Sequence, residues 1–183
     1  MKLFAQAVWT RTARALAIAA VAALVAATPP AGTSAQTLDE YQVKAAFLVN
    51  LGRFVQWPVP DSTLVIGVLG DDPFGGRLDQ AVAARVVNGR TVVVRRYTPA
   101  DDFSDCQILF ISASEGRNTR AILDRAQQET GILTVGETAP FLREGGIMRF
   151  FVEGNRVRFQ IDADLAAREG LRVNAQLLSL AAR

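Results

Sequence analysis

Short apolar runs are the sequence feature that most constrains the fold of this chain. Residues 64–69 are apolar almost without interruption, and the runs at 107–111 and 132–135 have the same character. A strand that is apolar on both sides of its backbone is typical of the middle of a parallel sheet, where both faces are covered. With a further strand predicted at 91–97, the sequence indicates a four-stranded sheet that is largely parallel.

Helical periodicity separates these strands. Val43, Phe47, Leu51 and Phe54 recur at spacings of four, four and three, so they lie on one face of a helix predicted over residues 38–54. Capping and turn residues predict the remaining helices. The first is opened by Asp72-Pro73 and carries Leu78 and Val82. The second follows a Ser112/Glu115 capping box, carries Ile122 and Leu123, and is closed by Gly131. A short helix around Phe141 and Leu142 and two C-terminal helices at 163–169 and 174–182 complete the set.

The pattern changes after the glycine pair at 145–146. Residues 147–152 and 156–161 flank Glu153-Gly154-Asn155, which is a strong β-hairpin pattern. Strands that alternate with helices and then end in a hairpin predict an α/β three-layer sandwich, with a mostly parallel sheet extended by a C-terminal antiparallel hairpin.

The N-terminus has the pattern of an export signal. A positively charged front without acidic residues precedes an apolar run at 15–27, and small residues at 33–35 supply a cleavage site. The apolar run is too short for a spanning helix, which needs roughly 20 residues. We therefore predict a Sec signal peptide over residues 1–35 that is cleaved on export to the periplasm, followed by a single domain over residues 36–183.

Charge and composition exclude several functional classes. The chain has 20 basic and 18 acidic residues, and loss of Lys2, Arg11 and Arg14 with the signal peptide leaves 17 basic residues. A domain whose net charge is so close to zero lacks the excess of basic residues that is typical of nucleic-acid binding. The chain has no histidine, which removes the common triads and the usual zinc ligands. We therefore predict a protein that is not an enzyme and that uses no catalytic residue, metal or cofactor.

The only cysteine, Cys106, directly precedes the apolar run at 108–111. This position favours a partly buried thiol that packs at the start of a strand. The alternative is a redox-sensing thiol or an intermolecular disulfide, since the periplasm is oxidising.

Polar side chains follow the predicted strands at their carboxyl ends, where α/β sheets bind ligands. The candidate ligand-binding residues at this edge are Asp71, Asp72, Ser112, Glu115 and Glu137, accompanied by Ser114 and Thr138. Such acids and hydroxyls suit a cation or a small molecule with hydroxyl or amine groups. The alternative interpretation is structural, because Asp72 and Ser112 are also expected to cap helices.

The predicted mature chain resembles the YfiR family over nearly its whole length. The resemblance rests on segments in a fixed order, including Phe-Val-Gln-Trp-Pro and Gly-Asp-Asp-Pro-Phe-Gly, and these segments lie at 40–48, 54–58, 66–75, 87–90, 106–112, 133–136, 145–147, 156–159 and 176–178. It implies a periplasmic α/β repressor, often a homodimer, that binds the periplasmic sensor region of an inner-membrane diguanylate cyclase. Binding of this kind lowers cyclic-di-GMP and biofilm formation.

Two questions about binding stay open at the level of sequence. Phe47, Leu51 and Phe54 are the candidate partner-binding residues, but the same stripe also fits a core position. The membrane client could instead be another sensor such as a histidine kinase, served by a periplasmic small-ligand-binding module.

Overall fold

The computed structural model describes residues 32–59 and 61–182. Most of the predicted signal peptide, residues 1–31, lies outside the described residues. From Leu38 onward the chain forms one compact unit. Within the described part of the chain, no helix combines the length and apolar character that a membrane span requires.

Helices and strands alternate along the described residues. The helices are α1 (Gly32–Phe54), α2 (Gly76–Val82), α3 (Thr119–Ala126), α4 (Ala163–Arg168) and α5 (Ala175–Leu180), with a short 3₁₀ helix at Ala113–Glu115. The strands are β1 (Val55–Gln56), β2 (Thr63–Leu69), β3 (Val86–Val87), β4 (Arg90–Tyr97), β5 (Ile108–Ile111), β6 (Leu133–Gly136), β7 (Met148–Glu153), β8 (Arg156–Ile161) and β9 (Arg172–Val173).

The main sheet has seven strands in the order β3-β4-β2-β5-β6-β7-β8. The strands from β4 to β7 in this order are parallel, and β3 and β8 pair antiparallel at the two edges. Strand β2 lies near the middle and every residue after Thr63 in it is buried, as its continuous apolar run predicts. The predicted fold class, a mostly parallel α/β sandwich with a C-terminal hairpin, is confirmed.

Alternate residues of the sheet enter two separate cores. Ile108 and Phe110 of β5 join a core that includes residues of α1, α2, α4 and α5, whereas Leu109 and Ile111 join a second core with α3. Successive side chains of a strand point to opposite faces, so one strand supplies both cores. Helices on both sides of the sheet make the three layers.

The helix expected to open at Asp72 begins later. Helix α2 starts at Gly76, and its N-cap position is Gly75. The carboxylate of Asp72 instead accepts hydrogen bonds from the backbone N–H groups of Phe74 at 2.7 Å and Gly75 at 3.2 Å. Asp72 therefore closes a tight turn ahead of the helix, which is a role that aspartate also performs well.

The capping residue Ser112 also serves a shorter element than predicted. Its hydroxyl accepts from the backbone N–H of Ser114 and caps the 3₁₀ helix, while α3 starts at Thr119 with Asn118 as its N-cap residue. Helix α3 then ends at Ala126, several residues before the predicted stop at Gly131.

One more local prediction needs correction between β6 and β8. The short helix predicted around Phe141 and Leu142 is a series of turns, because the chain folds around the buried Phe141 ring. The hairpin itself is confirmed, with Gly154 and Asn155 both at positive φ in its two-residue turn. Such φ values match the twist of the flanking strands.

Candidate functional site

The acidic residues predicted to form one ligand site fall into separate groups. The first group lies at the ends of β2 and β5, where the backbone N–H of Asp71 donates to the Ser114 hydroxyl at 3.0 Å. The Glu115 side chain lies close to Gly70 and accepts a hydrogen bond from the Asn118 side chain at 3.0 Å. Ser112 is buried beside them.

Asp72 belongs to a second group, which joins β4 to α2. The guanidinium of Arg96 donates to Asp72 at 3.0 Å and to Asp79 at 2.6 Å and 2.9 Å. The hydrogen bond from Arg96 lowers the pKa of the Asp79 carboxyl. The Asp72 carboxylate therefore accepts hydrogen bonds from the turn ahead of α2 and from Arg96, so it is already bonded within the fold.

Glu137, directly after β6, forms a third group with α1. Its carboxylate accepts from the Lys44 ammonium at 2.6 Å and from the Tyr41 hydroxyl at 3.1 Å and 3.3 Å. Lys44 also pairs with Glu40 one turn earlier, at 2.5 Å. Burial, reinforced by the negative charge of Glu137, raises the pKa of the Tyr41 hydroxyl. These four residues, here named the Lys44 cluster, tie α1 to the carboxyl edge of the sheet.

Sequence reasoning did not single out Lys44 or Tyr41. A pattern was available for part of the cluster, because Glu40 and Lys44 are four residues apart on a helix and can pair. Within the residues that the structure describes, no group of three or more acidic or cysteine side chains could hold a metal ion. The predicted ligand-binding role of Asp71, Asp72, Ser112, Glu115 and Glu137 stays a prediction.

The candidate partner-binding stripe on α1 is divided between core and surface. Leu51 is 1% exposed and belongs to the core. Phe47 and Phe54 are half-buried, and the Phe47 ring packs 5.9 Å from Phe150 and 6.0 Å from Phe159. Of the three predicted residues, only Phe47 and Phe54 therefore offer surface to a partner.

A groove runs between α1 and α5 at this position. It encloses about 260 Å³, and its lining includes Phe47, Phe54, Leu177 and Leu180. Leu180 is 58% exposed, which is unusual for a large apolar side chain on a helix that packs against the core. This surface, named the α1–α5 groove, is mainly apolar.

A comparison with models of protein families shows to which family the chain belongs. The family model DUF4154, described as YfiR/HmsC-like, matches residues 41–182. The chain belongs to the YfiR/HmsC-like family. The resemblance drawn from the sequence motifs is thereby confirmed, and the matched residues of this YfiR/HmsC-like chain include Lys44, Tyr41 and Glu137 as well as the whole α1–α5 groove.

The single cysteine of this YfiR/HmsC-like domain is buried, as predicted from its position before a strand. Cys106 is 2% exposed, and its thiol donates to the backbone carbonyl of Ile108 at 2.9 Å. Burial raises the pKa of the thiol to about 12. A thiol that is covered and protonated is a poor nucleophile, so this position does not favour the redox-sensing alternative.

Proposed function

We propose that the protein is a periplasmic regulator that binds the periplasmic sensor region of an inner-membrane diguanylate cyclase and inhibits the enzyme. Its action lowers cyclic-di-GMP and biofilm formation. The observation that carries the proposal is the YfiR/HmsC-like family match over residues 41–182. The export pattern of residues 1–35 supports a periplasmic location.

The α1–α5 groove supports a binding role rather than a catalytic one. Phe47, Phe54 and Leu180 expose apolar surface that a partner could cover, and apolar burial is the main source of association free energy. The groove is held in place by packing of Phe47 on the sheet and by the Lys44 cluster, whose lysine lies about one turn earlier in α1. A preformed surface loses little conformational entropy on binding.

Inhibition by binding requires a difference in affinity between two states of the cyclase. A regulator shifts the cyclase only as far as it binds the inactive state more tightly than the active one. A tenfold preference corresponds to about 1.4 kcal/mol, so contacts of modest size in the groove are sufficient for regulation.

The test is a gene deletion followed by complementation. Deletion is expected to raise the cellular level of cyclic-di-GMP, and the wild-type gene is expected to return that level to its original value. Leu180→Asp should fail to restore the nucleotide level, because it places a charge on the apolar wall of the groove. Val152→Asp is the matched control, since Val152 is also an exposed apolar residue but is not among the residues that line the groove.

Two results would reject the proposed function. One is an unchanged cyclic-di-GMP level in the deletion strain. The other is failure of the purified protein to associate with the periplasmic region of any diguanylate cyclase of its own bacterium.

A further inference from the structure

The α1–α5 groove continues into a positively charged cavity. Arg53 and Phe54 line both the groove and a second cavity of about 230 Å³, which Arg172 and Asn174 also line. The β1–β9 pair determines this arrangement, because it places Arg172 directly opposite Gln56. Apolar and basic surfaces are therefore continuous at the end of α1.

The two arginines at this end have no acidic partner among the described residues. Arg53 and Arg172 are both exposed, and neither forms an ion pair in that part of the chain. Among the described residues that line the two cavities, none is acidic. Arg96, by contrast, forms ion pairs with Asp72 and Asp79. The charge beside the groove is thus left for a group from outside the chain.

The dimensions of the apolar stripe suit a helix. Val43 is 36% exposed and lies on the same face of α1 as Phe47 and Phe54. At 1.5 Å per residue, the distance along α1 from Val43 to Phe54 is about 16 Å, or roughly three helical turns. A groove between two helices receives apolar side chains spaced at i, i+3 or i+4, and i+7 on a third helix.

We propose that the α1–α5 groove docks an amphipathic helix of a partner protein that carries acidic side chains at its end. The apolar stripe of that helix covers Phe47, Phe54 and Leu180, and its carboxylates pair with Arg53 and Arg172. Arginine binds carboxylates in a planar, two-pronged geometry, so the pairs set the register and direction of the docked helix. The assignment of the partner as a cyclase sensor rests on the proposed function.

The direct test uses two synthetic peptides as probes. Both are stapled helices of about 14 residues with the same leucine stripe, and they differ only in carrying glutamates or lysines in their terminal turns. Binding to the purified protein is followed by fluorescence anisotropy. The glutamate peptide is expected to bind about tenfold more tightly than the lysine peptide, and added salt should reduce the difference.

Variants locate the binding. Arg53→Glu combined with Arg172→Glu should remove the preference for the glutamate peptide, and Leu180→Asp should weaken both peptides. The matched control is Arg117→Glu, because Arg117 is an exposed arginine that lies ahead of α3 and forms no ion pair with any described residue. Thermal unfolding of each variant checks that the fold is intact.

Several outcomes would overturn the docked helix. These are absence of binding, equal affinity for the two peptides, or binding that the groove variants leave unchanged. If sedimentation shows that the wild-type protein is a dimer and that Leu180→Asp is a monomer, the groove binds a second copy of the chain instead. Binding to vesicles of phosphatidylethanolamine and phosphatidylglycerol that requires Arg53 and Arg172 would assign it to a lipid surface.

The cellular and peptide experiments separate the two proposals. A deletion strain with unchanged cyclic-di-GMP would reject the proposed function, while the peptides still decide what the groove binds. If deletion raises cyclic-di-GMP, the variant with Arg53→Glu and Arg172→Glu should fail to lower it again. Arg117→Glu should return it to the wild-type level. Restoration by the double variant would count against docking at the groove.

Discussion

Replacing Lys44 with methionine is expected to destabilise the fold by about 3 kcal/mol, because the change removes a buried cation and leaves its carboxylate partners behind. The Lys44 side chain is 3% exposed and contacts Glu137 at 2.6 Å and Glu40 at 2.5 Å. Methionine retains most of the apolar stem, so the lost stability reports the charge rather than the packing.

The exposure of the two partners determines where the effect falls within the usual range. Breaking a buried ion pair costs about 3 to 5 kcal/mol. The Glu137 and Glu40 side chains are 14% and 26% exposed, so water still reaches them and the lower value applies. For a domain of this size, about 3 kcal/mol lowers the melting temperature by roughly 6 to 12 °C.

Urea unfolding measures this effect. Trp57, the only tryptophan after the predicted signal peptide, lies half-buried and supplies the fluorescence change. Adding Glu137→Gln to Lys44→Met should recover part of the stability, because it removes an unpaired charge and keeps an acceptor for Tyr41. A Lys44→Met protein within about 1 kcal/mol of wild type, or a double variant less stable than Lys44→Met alone, would refute the reasoning.

Two further predictions concern packing and pH. Gly146→Ala should cost about 1 to 3 kcal/mol in urea unfolding, because a Cβ there would lie 2.1 Å from the Phe141 ring. Gly76→Ala, where the nearest atom is 3.8 Å away, should leave stability equal or slightly higher. Because burial raises the pKa of Cys106 from 9.0 to about 12, the folded state disfavours the thiolate, so stability should fall as pH rises through that interval. Cys106→Ala should reduce this alkaline loss, and equal pH profiles for the two proteins would contradict the account.

Local patterns predicted most of the strands and the C-terminal hairpin correctly. Residues 64–69 are apolar on both sides of the backbone, and the described structure places them in β2 between two parallel neighbours. The turn at 154–155 contains residues that tolerate positive φ, so its position is readable without knowledge of the rest of the chain. Strands β1, β3 and β9 were not predicted, because pairs of residues are too short to show a period.

Errors at helix starts arose where one side chain can perform two local roles. Asp72 fits both the N-cap of a helix and the first residue of a tight turn, and the sequence does not distinguish them. In the structure its hydrogen bonds close a turn, and Arg96 holds the same carboxylate from β4. The segment around Phe141 became turns because the ring is buried against backbone from both sides.

The candidate site depends on contacts between distant parts of the chain. Lys44 and Glu137 are 93 positions apart, so no sequence pattern showed that the lysine is buried against that carboxylate. The stripe on α1 was visible as a period, but which of its members stay exposed depends on α5 and on the edge of the sheet.

The amino-acid sequence by itself determined the alternation of strands and helices, the hairpin and the family, because apolar periods, turn residues and ordered motifs are local properties. Only the tertiary structure decided that Leu51 is buried while Leu180 stays exposed beside the groove, and that Arg53 and Arg172 line the same cavity. Burial and charge environment are produced by elements far apart in the chain, so they exist only after those elements have packed together.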